Sequence, residues 1–90
     1  MFSLATIITS KTRLAVLELF IKNSELESGV RETARKLNAN TMLVRNELLL
    51  LQKSGILKSR KVANSIQYSL NNECPAVDVF RQLIEVSENG

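Results

Sequence analysis

A mainly α-helical domain carrying one small β-hairpin is predicted by three observations. Apolar residues recur at helical spacing in separate segments, above all Leu14, Leu17 and Ile21, and then Val44, Leu48 and Leu51. Further along, the period shortens to two: Ile66, Tyr68 and Leu70 alternate with Ser65, Gln67 and Ser69. Residues that end or start helices, Asn38-Ala39-Asn40, Gly55 and Pro75, fall between these segments. With 90 residues, 44% of them hydrophobic, the chain can build one core and has no room for two. Its aromatics are Phe2, Phe20, Tyr68 and Phe80, so that core is mostly Leu, Ile and Val.

The elements follow in order. Residues 1–9 are apolar and fit either a short helix or an extended arm. A helix begins near Ser10, where Thr9 or Ser10 supplies a capping hydroxyl, and fades at Asn23. Leu14, Leu17 and Ile21 form its inner face, flanked by Val16 and Phe20. After a polar loop, Gly29-Val30 is expected as a brief strand and Arg31–Leu37 as a short helix with Ala34 and Leu37 inward. Asn38-Ala39-Asn40 makes a turn. Asn40 caps the next helix, Thr41–Ser54, whose core stripe is Val44, Leu48 and Leu51, and Gly55 closes it in the left-handed conformation. Ile56–Val62 and Ile66–Leu70 are expected as paired strands about a turn at Ala63-Asn64-Ser65, with Asn64 tolerant of positive φ. Pro75 opens a last helix with Val79, Phe80, Leu83 and Ile84 on one face up to Val86. The expected domain is 10–86, with 87–90 a frayed tail.

Charge is distributed unevenly. Between Arg31 and Lys61 eight basic residues face two acidic ones, a net +6, while the rest of the chain carries −3. This asymmetry points to an anionic partner for the middle of the chain. Other classes find little support. With no histidine, a single cysteine (Cys74) and scattered acids, no nucleophile–base pair or carboxylate dyad is apparent, so no enzyme is expected. Gly29 and Gly55 are isolated and form no phosphate loop. No cofactor or metal is expected, and no apolar run reaches the roughly 18–20 residues of a membrane span. Met1–Ile8 lacks a basic region before it, and one cysteine forms no internal disulfide. A cytoplasmic, nucleoid-associated protein is expected.

The order is thus helix–strand–helix–turn–helix–hairpin–helix, a helix-turn-helix followed directly by a basic hairpin. The segments Thr12–Phe20, Val30–Asn38, Val44–Leu48 with Leu51, Lys53–Ser59 and Asn64–Leu70 resemble ArsR-like winged helix-turn-helix regulators. The combination of Arg31-Glu32-Thr33-Ala34-Arg35-Lys36-Leu37 with Leu51-Gln52-Lys53-Ser54-Gly55-Ile56-Leu57 carries most of that resemblance. It implies a transcriptional regulator that binds operator DNA, commonly as a homodimer.

Elementary chemistry supports such a mechanism separately. Opposite the core stripe lie Thr41, Met42, Arg45, Asn46 and Leu49, the first four being the candidate base contacts. Arg45 can fork onto guanine, Asn46 onto adenine, and Met42 can touch a thymine methyl. Thr41 at the helix start suits a phosphate or a base edge. Arg31, Arg35 and Lys36 on the preceding helix, and Lys58, Arg60 and Lys61 on the wing, are candidate backbone contacts. Strand alternation puts Lys58 and Arg60 on one side and Lys61 on the other. These charges also fit a solvated helix face and the protection of an exposed strand edge. The short wing turn lacks glycine, which argues against deep insertion into a minor groove.

The run Leu48–Leu51 is too apolar for a helix with one buried face. Leu49 and Leu50 are therefore expected to be partly exposed, marking a protein partner or a second copy of the chain. Phe2, Leu4, Ile7 and Ile8, with Phe80, Leu83 and Ile84, are the further candidates for a dimer surface. The alternative to DNA binding is a winged helix used as a protein–protein interaction module in a larger assembly.

Overall fold

A computed structural model describes the backbone of residues 11–89 and the side-chain surroundings of residues 11–84. Among the described residues four helices and three strands follow one another: α1 Lys11–Lys22, β1 Glu27–Ser28, α2 Val30–Leu37, α3 Thr41–Lys53, β2 Leu57–Val62, β3 Ser65–Leu70 and α4 Pro75–Asn89. The strands form one antiparallel sheet in the order β1-β3-β2. Among the described residues no helix is long and apolar enough to cross a membrane.

Helix ends follow local chemistry. The Asn40 side chain accepts hydrogen bonds from the Met42 and Leu43 amides at 2.9 and 3.1 Å, which caps α3 as expected. Asn38 enters the left-handed region (φ 51, ψ 48), and Asn38 and Ala39 donate back to the Arg35 and Ala34 carbonyls. The two asparagines of the turn therefore have separate tasks, one ending α2 and the other starting α3. At the far end of α3, Gly55 takes φ 84 while Gly55 and Ile56 donate to the Gln52 and Leu51 carbonyls. This double bond pattern is a Schellman closure, sealed by the buried Leu51 and Ile56 side chains. The helix itself stops at Lys53, one residue short of the expected Ser54.

The brief strand lies at Glu27–Ser28 and not at Gly29-Val30. Gly29 is extended (φ −86, ψ 179), and its carbonyl already accepts from the Thr33 amide, so Val30 begins α2. Ser28 and Thr33 are buried polar residues that satisfy one another. The Thr33 hydroxyl donates to the Gly29 carbonyl at 2.7 Å, which leaves the Ser28 hydroxyl to donate to Thr33 at 2.9 Å.

The core is built from Val16, Leu17, Phe20 and Ile21 of α1, Ala34 of α2, Val44, Leu48 and Leu51 of α3, and Ile56, Leu57, Tyr68 and Leu70 of the sheet. Leu14 is only half-buried, and Val16 takes the inner place. From α4, Val77 and Ile84 complete the core with Phe80 packed against it. The apolar face expected for this helix is thus split. Ile84 belongs to the chain's own core, not to a surface, whereas Val79 and Leu83 are exposed.

The hairpin pairs Leu57 with Leu70 through Val62 with Ser65, leaving Ala63-Asn64 as a two-residue turn. The residue with positive φ is Ala63 (φ 55), not Asn64. Tight hairpin turns require positive φ at their first central position, and the register puts Ala63 there. The alternation groups Ile66 with Tyr68 and Leu70. By register it does share their face, but it is 53% exposed, on the open depression that it lines with Arg45 and Leu49 of α3.

Candidate nucleic-acid interface

Helix α3 is held at both ends by the caps and at its middle by an ion pair. Arg13 Nε of α1 lies 2.7 Å from Glu47 Oε2, both side chains being partly buried. With Val44, Leu48 and Leu51 fixed inward, the helical period dictates what faces out. Thr41, Met42, Arg45 and Asn46 are all exposed, as are Leu49 (40%) and Leu50 (41%). Met42, Asn46, Leu49 and Lys53, spaced four, three and four residues apart, fall on one line directly opposite the buried stripe. Lys53 was not among the candidate contacts, though continuing the same spacing from Asn46 would have found it.

The acids of this region are turned onto cations of the chain itself. Glu47 is held by Arg13, and Glu32 lies 3.8 Å from Lys36 one helical turn away. Glu27 receives a fork from Arg60, Nε to Oε2 at 2.6 Å and Nη2 to Oε1 at 2.8 Å. That leaves Arg31, Arg35, Arg45, Lys53, Lys58 and Lys61 without an ion pair among the described residues. Hydrogen bonding from Arg60, opposed by desolvation and reinforced by the charges of Arg60 and Lys58, holds the Glu27 carboxyl below its ordinary 4.5. The same pair raises Arg60.

Register sorts the wing cations. Lys58 stands opposite Ser69, which on its other side pairs with Glu27, so Lys58, Arg60 and Glu27 share the outer face of the sheet. Lys61 stands opposite Ile66 on the face that carries Ser59 and Tyr68. The Gln52 side chain donates to the Ser59 hydroxyl at 2.8 Å, which places α3 over that same face. Lys61 is thus the wing cation on the side of α3, and Arg60 is engaged with Glu27 on the other. The residues of these pairs are separated by 33 or 34 positions, and no local pattern announces them.

Two shallow depressions border α3. One, of about 510 Å³, lies between the start of α2, α3 and β3 and is lined by Arg31, Arg45, Leu49, Ile66 and Gln67 among others. The other, of about 520 Å³, runs along Asn46, Leu49, Leu50, Gln52 and Lys53. Leu49 borders both. Of the candidate dimer surface, Phe2, Leu4, Ile7 and Ile8 lie outside the described residues; Leu83 is exposed, Phe80 half-buried and Ile84 internal.

Comparison with solved structures places this architecture. HlyU from Vibrio cholerae superposes with a TM-score of 0.71 at 21% identity over 97% of this chain and 89% of that one. The homodimeric winged helix-turn-helix DNA-binding domain Mb0332 from Mycobacterium bovis, described as a possible ArsR-family transcriptional regulator, gives 0.68 at 21% identity over 91% and 71%. The chain has the winged helix-turn-helix fold. A third similar structure, a mutant of Lactococcus lactis ZitR in apo form, matches this winged helix with a TM-score of 0.71 at 24% identity over 99% and 76%. Neither a family model nor a curated protein sequence matches the chain. In winged-helix terms α2 and α3 are the helix-turn-helix, β2 and β3 the wing, and β1 the short strand that ties them together.

Proposed function

We propose that this winged helix binds double-stranded DNA as a transcriptional regulator, as a homodimer and with no catalytic step of its own. The observation that carries the reading is the charge arrangement: six cations without ion pairs surround α3 and the wing, while the neighbouring acids are paired within the chain. Such a surface attracts a polyanion. Helix α3 enters the major groove, where Arg45 forks onto guanine, Asn46 onto adenine, and Thr41 and Met42 meet the adjoining phosphate or base edges. Arg31 and Arg35 take backbone phosphates, Lys36 doing so only by leaving Glu32. On the wing, Lys61 lies on the side of α3, Lys58 reaches only a strand passing the outer face, and Arg60 is drawn off by Glu27. The DNA-binding and homodimeric character of the Mycobacterium bovis domain supports the same reading. A regulator of this kind works where the DNA is, at the cytoplasmic nucleoid.

The test is fluorescence anisotropy of a labelled duplex titrated at several salt concentrations. Binding should weaken steeply with salt, by about 0.9 in log–log slope for each phosphate neutralised, so four to six contacts give a slope of about −4 to −5 per chain. Absence of binding at low salt refutes the reading.

A second reading, a protein-interaction module, is favoured by one observation. Leu43 and Leu50, seven residues apart, are both exposed on the flank of α3 beside Glu47, away from the wing. Leu50→Glu should then abolish partner binding and leave DNA binding intact, whereas Arg45→Ala with Asn46→Ala should do the reverse.

A further inference from the structure

The outermost line of α3 is half apolar. Met42 is 59% exposed, Asn46 follows one turn later, Leu49 one turn after that, and Lys53 ends the line. Nothing in the core requires Met42 or Leu49, since Val44, Leu48 and Leu51 already fill the opposite face. Exposed apolar side chains at the centre of a cation-rich surface need an occupant that is both anionic and locally apolar. Leu49 borders the depression lined by Arg31 and Arg45, so an uncharged protein surface laid there would bury those guanidiniums unpaired.

In the major groove of DNA the only apolar group on a base edge is the C5-methyl of thymine, and adenine's N6 and N7 match a carboxamide. From these residues we infer that α3 reads an A·T-rich site through thymine methyl groups, Met42 and Leu49 each covering one, with Asn46 on an adenine between them. The inference rests on the DNA-binding reading above and moves Leu49 from a partner surface to base recognition. At about 1.5 Å per residue, Met42 and Leu49 stand about 10.5 Å apart along the helix. That is about three base-pair steps of about 3.4 Å.

The experiment compares two labelled 24-base-pair duplexes: an alternating adenine–thymine duplex, which offers a methyl at every base pair, and the same duplex with deoxyuridine in place of thymine. The hydrogen-bonding groups of the two are identical. Each methyl contact is worth about fourfold in affinity, so the intact protein should prefer the thymine duplex by about fifteenfold. Met42→Ala and Leu49→Ala should each lower the preference to about fourfold, and the double variant should abolish it, with the salt dependence unchanged. Both side chains are exposed, so the variants should fold, which circular dichroism checks. Equal affinity of the intact protein for the two duplexes overturns the inference while steep salt dependence leaves the DNA-binding reading standing. A preference that survives both substitutions also overturns it, assigning the effect to duplex shape and Leu49 to a protein contact. Failure to bind either duplex at low salt overturns both readings together.

Discussion

Gly55→Ala tests the joint between α3 and the wing. Gly55 sits at φ 84, its amide bonds to the Gln52 carbonyl, and its own carbonyl accepts from the Asn71 side chain at 2.9 Å. A Cβ built there meets nothing within 4 Å, so the substitution creates no clash. The whole cost is conformational: about 1–2 kcal/mol for an L-residue in the left-handed region. Restricting the unfolded chain returns about 0.4–1 kcal/mol, for a net loss of about 1 kcal/mol. In a domain of this size that lowers Tm by about 4–8 °C. Gly29→Ala is the control. Its φ of −86 suits any residue, and the new methyl would lie 3.2 Å from Gln67 Nε2, the end of a flexible side chain, and 3.4 Å from the Ile66 carbonyl. The poorer helix cap and the stiffer unfolded chain roughly offset each other, so its stability should stay within about 0.5 kcal/mol of the parent. Urea unfolding followed by circular dichroism measures both. Equal losses at the two glycines, or none at Gly55, would refute the assignment of the cost to backbone conformation.

Four further outcomes are expected. Lys61→Ala should reduce the salt slope of DNA binding by about 0.9, and Arg60→Ala should change it less, because Arg60 is already paired; salt-titrated anisotropy separates them. The Glu27 carboxyl should titrate by NMR below 4.5 and return toward that value in Arg60→Ala. Since the folded value is depressed, the pair's contribution to stability is complete above pH 4.5 and is lost as pH falls through the folded midpoint, and Glu27→Gln should remove that part of the acid response. Val79→Asp with Leu83→Asp, two exposed positions of α4, should shift a homodimer to monomer in sedimentation velocity without lowering the monomer's helicity. Ala63→Gly should raise stability by about 0.5–1 kcal/mol in urea unfolding, by relieving the positive φ at the wing tip.

What was legible in the sequence was what short-range chemistry decides. The Asn40 cap, the Gly55 closure and the Val44–Leu48–Leu51 stripe each depend on neighbours within a few residues, and each is in place. So does the exposure of Leu49 and Leu50, which follows from a helix with one buried face. The misplaced features depend on partners far along the chain. The strand at Glu27–Ser28 exists only because β3 pairs with it, and Ala63 rather than Asn64 takes positive φ because strand register positions the turn. Ile66 follows the alternation faithfully yet is exposed, since periodicity says which face a residue takes but not how closely the opposing layer packs on it. The candidate site divided in the same way. The helix positions were readable from one period, but the withdrawal of Arg60 by Glu27 was not, because it joins strands on opposite edges of the sheet.

The buried hydroxyl chain from Ser28 through Thr33 to the Gly29 carbonyl has a mechanical consequence. It fastens the short strand to the start of α2, as the Gly55 closure and the Gln52–Ser59 bond fasten α3 to the wing. These bonds oppose a change in the placement of α3 relative to the wing. If the chain binds DNA as proposed, a duplex laid across both would supply part of the bending or groove adjustment the fit requires, and the cost of that deformation varies with sequence. Under the proposed function, steps that the protein never touches would then enter the selection of a site through their stiffness.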